Sequence, residues 1–277
     1  MTNDMSLLEA VVLGVVQGAT EFLPISSTAH LRVVPAILNW ADPGAAFSAV
    51  IQLGSVAAVI TYFWKDIVSI SVGAFKALQA KNMESQDLRI AGAIIVGTAP
   101  VSILGLLLKH LIEGSLRSLI VVGVASIFMG LLLLLAEKVG KQKREISTIR
   151  GLDGLLVGLG QAMALIPGCS RSGSTLTVAL LLGLKREDAA RFSFLLGIPA
   201  LVLSGLVELY QLKKNGGLND AGGLDLVVSL IVSAAVSYAA IAWFLKYLRH
   251  HSTLVFVAYR LLFGVTVVFL AARSIIH

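Results

Sequence analysis

Between residues 17 and 30 the chain reads Gln17-Gly18-Ala19-Thr20-Glu21-Phe22-Leu23-Pro24-Ile25-Ser26-Ser27-Thr28-Ala29-His30. Apolar segments flank it at residues 7–23 and 31–40. Neither is long enough to cross a bilayer, since a spanning helix needs about 20 mostly apolar residues for a core of ~30 Å. Polar, proline-broken backbone survives at membrane depth only where protein or a wet cavity surrounds it. The stretch therefore predicts a re-entrant helix–loop–helix that carries Glu21 into the membrane.

A second stretch has the same form. Pro167-Gly168-Cys169-Ser170-Arg171-Ser172-Gly173-Ser174-Thr175 lies between apolar residues 152–166 and 175–184. As a helix, the latter would rise only about 15 Å, half a bilayer. The two stretches belong to a wider echo. Leu13-Gly14-x-x-Gln17 returns as Val157-Gly158-x-x-Gln161, and Pro24-x-x-Ser27 as Pro167-x-x-Ser170. Phe47-Ser48 with Leu53-Gly54 returns as Phe192-Ser193 with Leu196-Gly197, all at offsets of 143 to 145.

Six further stretches are long and apolar enough to span: residues 45–64, 90–108, 116–136, 192–212, 226–245 and 253–272. Each half of the chain thus holds one re-entrant pair and three spans. Three is odd, so the halves must enter from opposite sides, as in an inverted-topology repeat whose broken helices meet near the midplane. The expected fold is an all-α integral membrane protein with six transmembrane helices plus two re-entrant segments. It forms one membrane domain over residues 1–277, with repeats at 1–136 and 144–277.

Composition agrees. Of 277 residues 57% are apolar and 14% charged, against about 25% charged in soluble domains. Mean hydropathy is +0.88. This excludes a soluble enzyme, a disordered chain and a nucleic-acid binder; the net charge of +6 is read as basic loops on one membrane face. Cys169, the one cysteine, excludes a disulfide framework and a multi-cysteine metal site. The first 31 residues hold no Lys or Arg, so no secretory signal is expected.

Fourteen Lys and Arg fall in 65–89, 138–150, 185–191 and 246–249, and five (Lys109, Arg117, Lys213, Lys214 and Arg273) on the other side. The basic side is expected to be cytoplasmic. Both termini and the mouth of the first re-entrant pair then face outward. Residues 69–87 are expected to lie along the cytoplasmic interface.

Gln17 and Glu21 are four apart and share a helical face. If a helix restarts after Pro24, so do Ser26 or Ser27 and His30. Ser26 or Ser27 would then cap that helix, with free backbone N–H groups pointing into the site. An ionised Glu at membrane depth costs about 2.5–3.5 kcal/mol, so such residues are usually functional or paired. On a purely structural reading, Glu21 and Arg171 pair to hold the repeats together and His30 bonds a carbonyl.

The second loop offers glycines, hydroxyls, a helix start and the Arg171 guanidinium, a set that suits phosphate. Its spacing is close to a nucleotide-binding Gly-x-x-x-x-Gly loop, but no Lys follows Gly173, which argues against ATP. Arg260 and Glu208 are read as structural charges. A metal would have to combine Glu21 with substrate phosphate oxygens.

With both motifs in order, the chain resembles the undecaprenyl pyrophosphate phosphatases, also called bacitracin-resistance proteins. The resemblance runs over nearly the whole chain and includes Phe256-x-x-Tyr259-Arg260. It implies an integral enzyme of the bacterial plasma membrane that removes the terminal phosphate of undecaprenyl diphosphate, recycling the lipid carrier for peptidoglycan and other envelope polymers. It implies a divalent cation, Mg²⁺ or Ca²⁺, a polyprenyl diphosphate and membrane lipids as partners, and no nucleic acid; a homodimer is compatible with it.

Carried over by position, Glu21 would bind metal or act in acid–base chemistry. Ser27 would be the nucleophile or its helper, and His30 nucleophile or base. Arg171 would clamp the diphosphate. Ser26, Thr28, Gly168, Ser170, Ser172 and Thr175 would bind substrate. The family's first motif opens with Glu or Gln; Gln17, with only a neutral oxygen, would orient metal or water or support Glu21. The attacking group stays open among Ser27, His30 and water. The alternative function is a secondary transporter or lipid flippase, since inverted repeats with broken helices are also a transporter design.

Overall fold

The computed structural model describes residues 5–42, 44–108, 116, 118–214 and 223–276, without the side chains at 45, 46, 49, 208 and 211–213. Lys109, Arg117 and the side chains of Glu208 and Lys213 therefore lie outside the described residues.

Among the described residues the α-helices are, in order, α1 (Leu7–Glu21), α2 (Ser27–Leu38), α3 (Gly44–Tyr62), α4 (Trp64–Gln79), α5 (Gln86–Leu107), α6 (Leu119–Val139), α7 (Gly151–Met163), α8 (Arg171–Leu181), α9 (Arg186–Lys214), α10 (Gly223–Leu248) and α11 (Leu254–Ala272). Among the described residues no strand occurs. Among the described residues five helices, α5, α6, α9, α10 and α11, are long and apolar enough to cross a membrane, and α3 with α4 makes up to six. That pair bends by 65°. The polar stretch after α3 starts its helix at Trp64 rather than at 69, and Val68, Val72 and Phe75 stand exposed along one face of it.

The four short helices sit where the two polar loops require them. A capping box starts α1: Glu9 N–H donates to Ser6 Oγ at 3.3 Å, and Ser6 N–H donates to Glu9 Oε2 at 2.6 Å. Helix α2 begins at Ser27 and takes in the hydroxyls and His30, earlier than its apolar run; α8 begins at Arg171 for the same reason. Both start just past the break imposed by Pro24 or Pro167.

The halves exchange helices. First-half α1 packs on second-half α10, and second-half α7 packs on first-half α5. Both contacts are built on small residues four apart, which bring backbones close without a polar cost. A Cβ at Gly14 would lie 2.8 Å from the Ser229 carbonyl, and one at Gly18 2.7 Å from that of Ser233. In the reciprocal contact, Cβ atoms at Gly154 and Gly158 would lie 2.2 and 2.1 Å from the carbonyls of Ala93 and Gly97. Numbers rise together along each pair, so both are parallel. The main core lies between them. Phe22 packs edge-on against Phe194 with centroids 5.2 Å apart, and Phe244 against Phe256 at the same distance. Phe22 adjoins Glu21, so the core props the first loop from beneath.

Candidate active site

Each loop turns on one strained serine. Ser26 has φ 75° and Ser170 φ 70°, in the positive range that side chains avoid. Each costs about 1–3 kcal/mol unless surroundings hold it. The two lie 144 residues apart, as do Gln17 and Gln161. The structural register therefore pairs Ser26 with Ser170 and Ser27 with Arg171. The match of Ser27 to Ser170 is one residue out, because Pro24 stands two residues before its strained serine and Pro167 three.

Arg260 holds both turns. It is 1% exposed. Its Nη1 donates to the Pro24 carbonyl at 2.8 Å, and its Nη2 to the carbonyls of Gly168 at 2.8 Å and Cys169 at 3.1 Å. Its Nε donates to the Ser126 carbonyl at 3.2 Å. Ordinary loop carbonyls thus satisfy a buried guanidinium, and the guanidinium fixes the loops to each other. Gly168, at φ +99°, leaves no room for a Cβ, which would lie 2.3 Å from the Val122 carbonyl.

The two loops meet at Glu21. Its Oε2 accepts from Ser27 Oγ at 2.6 Å and Gln17 Nε2 at 2.9 Å. Its Oε1 accepts from Gln52 Nε2 at 3.2 Å and Arg171 Nη2 at 3.5 Å. Arg171 also lies over the Phe22 ring, 5.8 Å from its centroid. Its Nε and Nη1 are buried with no partner. The pair expected from the structural reading is therefore present, but it uses one of three guanidinium nitrogens. The other two are free for an anion.

A cavity of about 170 Å³ opens here. Glu21, Ser26, Ser27 and Thr28 line it from the first loop, and Ser170 and Arg171 from the second. Gln52, Gln161 and Ser204 add polar groups, and Val101, Leu165 and Leu201 an apolar flank. The starts of α2 and α8 both face it, as the positive ends of broken helices face anions. Ser170 Oγ caps its own helix by accepting from Gly173 N–H at 3.1 Å, whereas Ser26 makes no such cap.

The remaining expected residues do not line the cavity. Gln17 stands behind Glu21 and also donates to Ser55 Oγ at 3.3 Å. Ser172 Oγ donates to the Leu23 carbonyl at 2.9 Å, joining loop to loop. Thr175 Oγ1 donates to the Arg171 carbonyl at 2.8 Å and contacts Ser193 Oγ. His30 bonds on both sides. Its Nδ1 meets the Ser26 carbonyl at 2.7 Å, so that nitrogen carries the proton, and its Nε2 meets the Tyr259 hydroxyl at 2.6 Å. Phe263 stacks on the ring at 4.5 Å. The imidazole thus braces the strained turn rather than facing the cavity.

Sequence reasoning gave no site role to Gln52, Tyr259 or Gly197. Gln52 carried a signal, a polar amide inside an apolar span. Gly197 leaves the space that Arg171 fills: a Cβ there would lie 1.7 Å from Nη1. Among the described residues no three His, Cys, Asp or Glu side chains cluster as a metal cage.

The model of the bacitracin resistance protein BacA family matches residues 10–266. An undecaprenyl-diphosphatase of Gloeobacter violaceus is 55% identical, covering 100% of this chain and 96% of that protein. One from Synechococcus sp. (strain RCC307) is 53% identical, covering 98% and 97%. One from Myxococcus xanthus is 54% identical, covering 94% and 88%.

Proposed function

The chain belongs to the bacitracin resistance protein BacA family, and on that footing we propose that it is an undecaprenyl-diphosphatase. It is a multi-pass membrane enzyme that hydrolyses undecaprenyl diphosphate to undecaprenyl phosphate and inorganic phosphate. The transporter alternative is not favoured, since the relatives are named for the phosphatase.

One observation carries the catalytic reading. Ser27 donates to Glu21 at 2.6 Å beside an Arg171 guanidinium with two unpartnered nitrogens, in one cavity. Phosphoryl transfer needs positioning and charge neutralisation above all. In this reading Arg171 and the N–H groups at the starts of α2 and α8 seat the diphosphate. Glu21 takes the Ser27 proton as Ser27 Oγ bonds the terminal phosphorus. The bond from that phosphorus to the bridging oxygen breaks, and undecaprenyl phosphate leaves. Glu21 hands the Ser27 proton to the departing phosphate and is ionised again. Water then attacks the phosphoserine, its oxygen bonding phosphorus and its proton passing to Glu21, which returns that proton to the Ser27 oxygen as it leaves. His30 and Tyr259 hold the Ser26 turn.

A divalent cation, Mg²⁺ or Ca²⁺, belongs to the same reading. Among the described residues Glu21 is the one carboxylate lining the cavity, which suits a cation shared between one protein carboxylate and substrate phosphate oxygens. The neutral amide of Gln17 faces Glu21 and supports it. The cation would neutralise charge on the diphosphate. The bacterial plasma membrane is the location, with the cavity opening to the outer face.

The test is phosphate release from undecaprenyl diphosphate by the purified protein, with and without Mg²⁺ or Ca²⁺, beside Glu21→Ala. Metal-dependent release that the variant loses is the expected result. No release by well-folded wild-type protein overturns the function.

A further inference from the structure

The cavity contains a polar side chain that no step above uses. Gln161 sits on α7 and borders the cavity with Glu21, Ser27 and Arg171. It is 0% exposed. Neither its Nε2 nor its Oε1 has a hydrogen-bond partner. Leaving a buried polar group unsatisfied costs about 1–3 kcal/mol, and native interiors rarely tolerate it.

The repeat explains how this arises. Gln161 is the counterpart of Gln17, 144 residues on. Gln17 spends its amide on Glu21, four residues later. The residue four after Gln161 is Leu165, which offers no acceptor. One half keeps the carboxylate; the other keeps the amide and faces the same cavity without it. Two nitrogens of Arg171 in that cavity are equally unpartnered.

We propose that Gln161 is a second recognition residue for the phosphoryl group, resting on the phosphatase reading above. An amide needs an acceptor for its N–H and a donor for its oxygen. A phosphoryl group with one protonated oxygen presents both. Nε2 donates to a phosphoryl oxygen, and Oε1 accepts from the P–OH, while Arg171 takes the remaining negative oxygens. A hydrocarbon tail or a bare cation satisfies only part of this set. Sites built on buried hydrogen-bonding groups discriminate strongly against ligands that leave them unpaired.

The test uses full-length Gln161→Leu, with Gln161→Glu as the second variant, in the same detergent as wild type. Three quantities are read: kcat/KM on undecaprenyl diphosphate, the inhibition constant of inorganic phosphate, and thermal unfolding with and without inorganic phosphate. Gln161→Leu is expected to lower kcat/KM about tenfold to a hundredfold and weaken phosphate inhibition similarly. Its unfolding temperature without phosphate should hold or rise, because an unpaired polar group has gone. The stabilisation that phosphate gives wild type should shrink. Gln161→Glu, nearly isosteric, should lose more, since it sets an anion against the phosphate.

Wild-type kcat/KM and phosphate inhibition in either folded variant would overturn the assignment. So would a lowered unfolding temperature with unchanged kinetics per folded molecule, the mark of a bridging role inside the protein. If Gln161→Leu does not fold, Gln161→Glu decides by the same readouts. Wild-type protein that binds inorganic phosphate but releases none from the lipid would sink the phosphatase reading and leave the Gln161 contact standing.

Discussion

The Ser27 hydroxyl donates to Glu21 Oε2 at 2.6 Å, across a turn whose strained residue is Ser26. A carboxylate at that distance can take the hydroxyl proton as the oxygen attacks. Ser27→Ala should therefore remove the nucleophile and Glu21→Gln its base, each lowering turnover by ~10²–10⁴-fold. Phosphate release by purified variants measures this. A Ser27→Ala enzyme that keeps wild-type turnover would assign the attack elsewhere.

Gly197 leaves room for the Arg171 guanidinium, and a methyl there would sit 1.7 Å from Nη1. Gly197→Ala should push the guanidinium out of register with the cavity. A shift of about 1 Å in a positioning group can cost ~10²-fold in rate. The expected result is a large fall in kcat/KM with the protein still folded, read by steady-state kinetics beside thermal unfolding. An active Gly197→Ala would mean Arg171 can seat the substrate from a different rotamer.

Arg260 bonds carbonyls of both loops and of Ser126. Lys presents one point charge and cannot span four separated acceptors. Arg260→Lys should destabilise by about 3–5 kcal/mol, as expected when a buried charge network is broken. A drop in thermal midpoint with loss of activity would show it; a stable but inactive variant would instead place Arg260 in the chemistry.

Asp153 stands at the polar entry to α7, outside the crossing helices, and accepts from Arg144 Nη1 and Nη2, both at 2.9 Å. Burial pushes its carboxyl up, but the hydrogen bonds from Arg144 and the Arg150 N–H outweigh that and hold it below the usual carboxylate range. A depressed pKa in the folded state contributes stability above the unfolded value and loses it as pH falls through the folded one. Asp153→Asn should be less stable at neutral pH by about 1–2 kcal/mol, discounted for the exposed edge of Arg144. Its unfolding midpoint should also fall less in acid. Parallel slopes for the two proteins would remove Asp153 from the titration.

From the Lys and Arg distribution the C-terminus is expected to face the outer compartment. A reporter fused at the C-terminus should be inactive if it requires the cytoplasm and active if it requires the outer compartment. The opposite result inverts the topology.

The two proline-broken loops were legible because each puts proline and hydroxyls between apolar runs too short to span. The meeting of Glu21 with Arg171 followed from the echo between halves. Other parts were not legible, for physical reasons. Arg260 reads as a lone charge in a helix, because its partners are carbonyls, which every residue has. His30 reads as a reactive imidazole, because Tyr259, which occupies its Nε2, is 229 residues away. Gly197 reads as another small residue, since a glycine does not reveal what fills the space beside it. Gln161 reads as a repeat marker until the place of its missing carboxylate is found to hold Leu165.

The bond from Arg260 to the Pro24 carbonyl joins residues 236 positions apart in the chain. A ribosome adds about 5–20 residues per second, so the first loop waits roughly 12–47 s for its clamp to emerge. Until then the strained turn has only its local bonds, such as that of His30 to the Ser26 carbonyl. The bonds that tie the two loops to Arg260 are therefore complete only once α11 is in place.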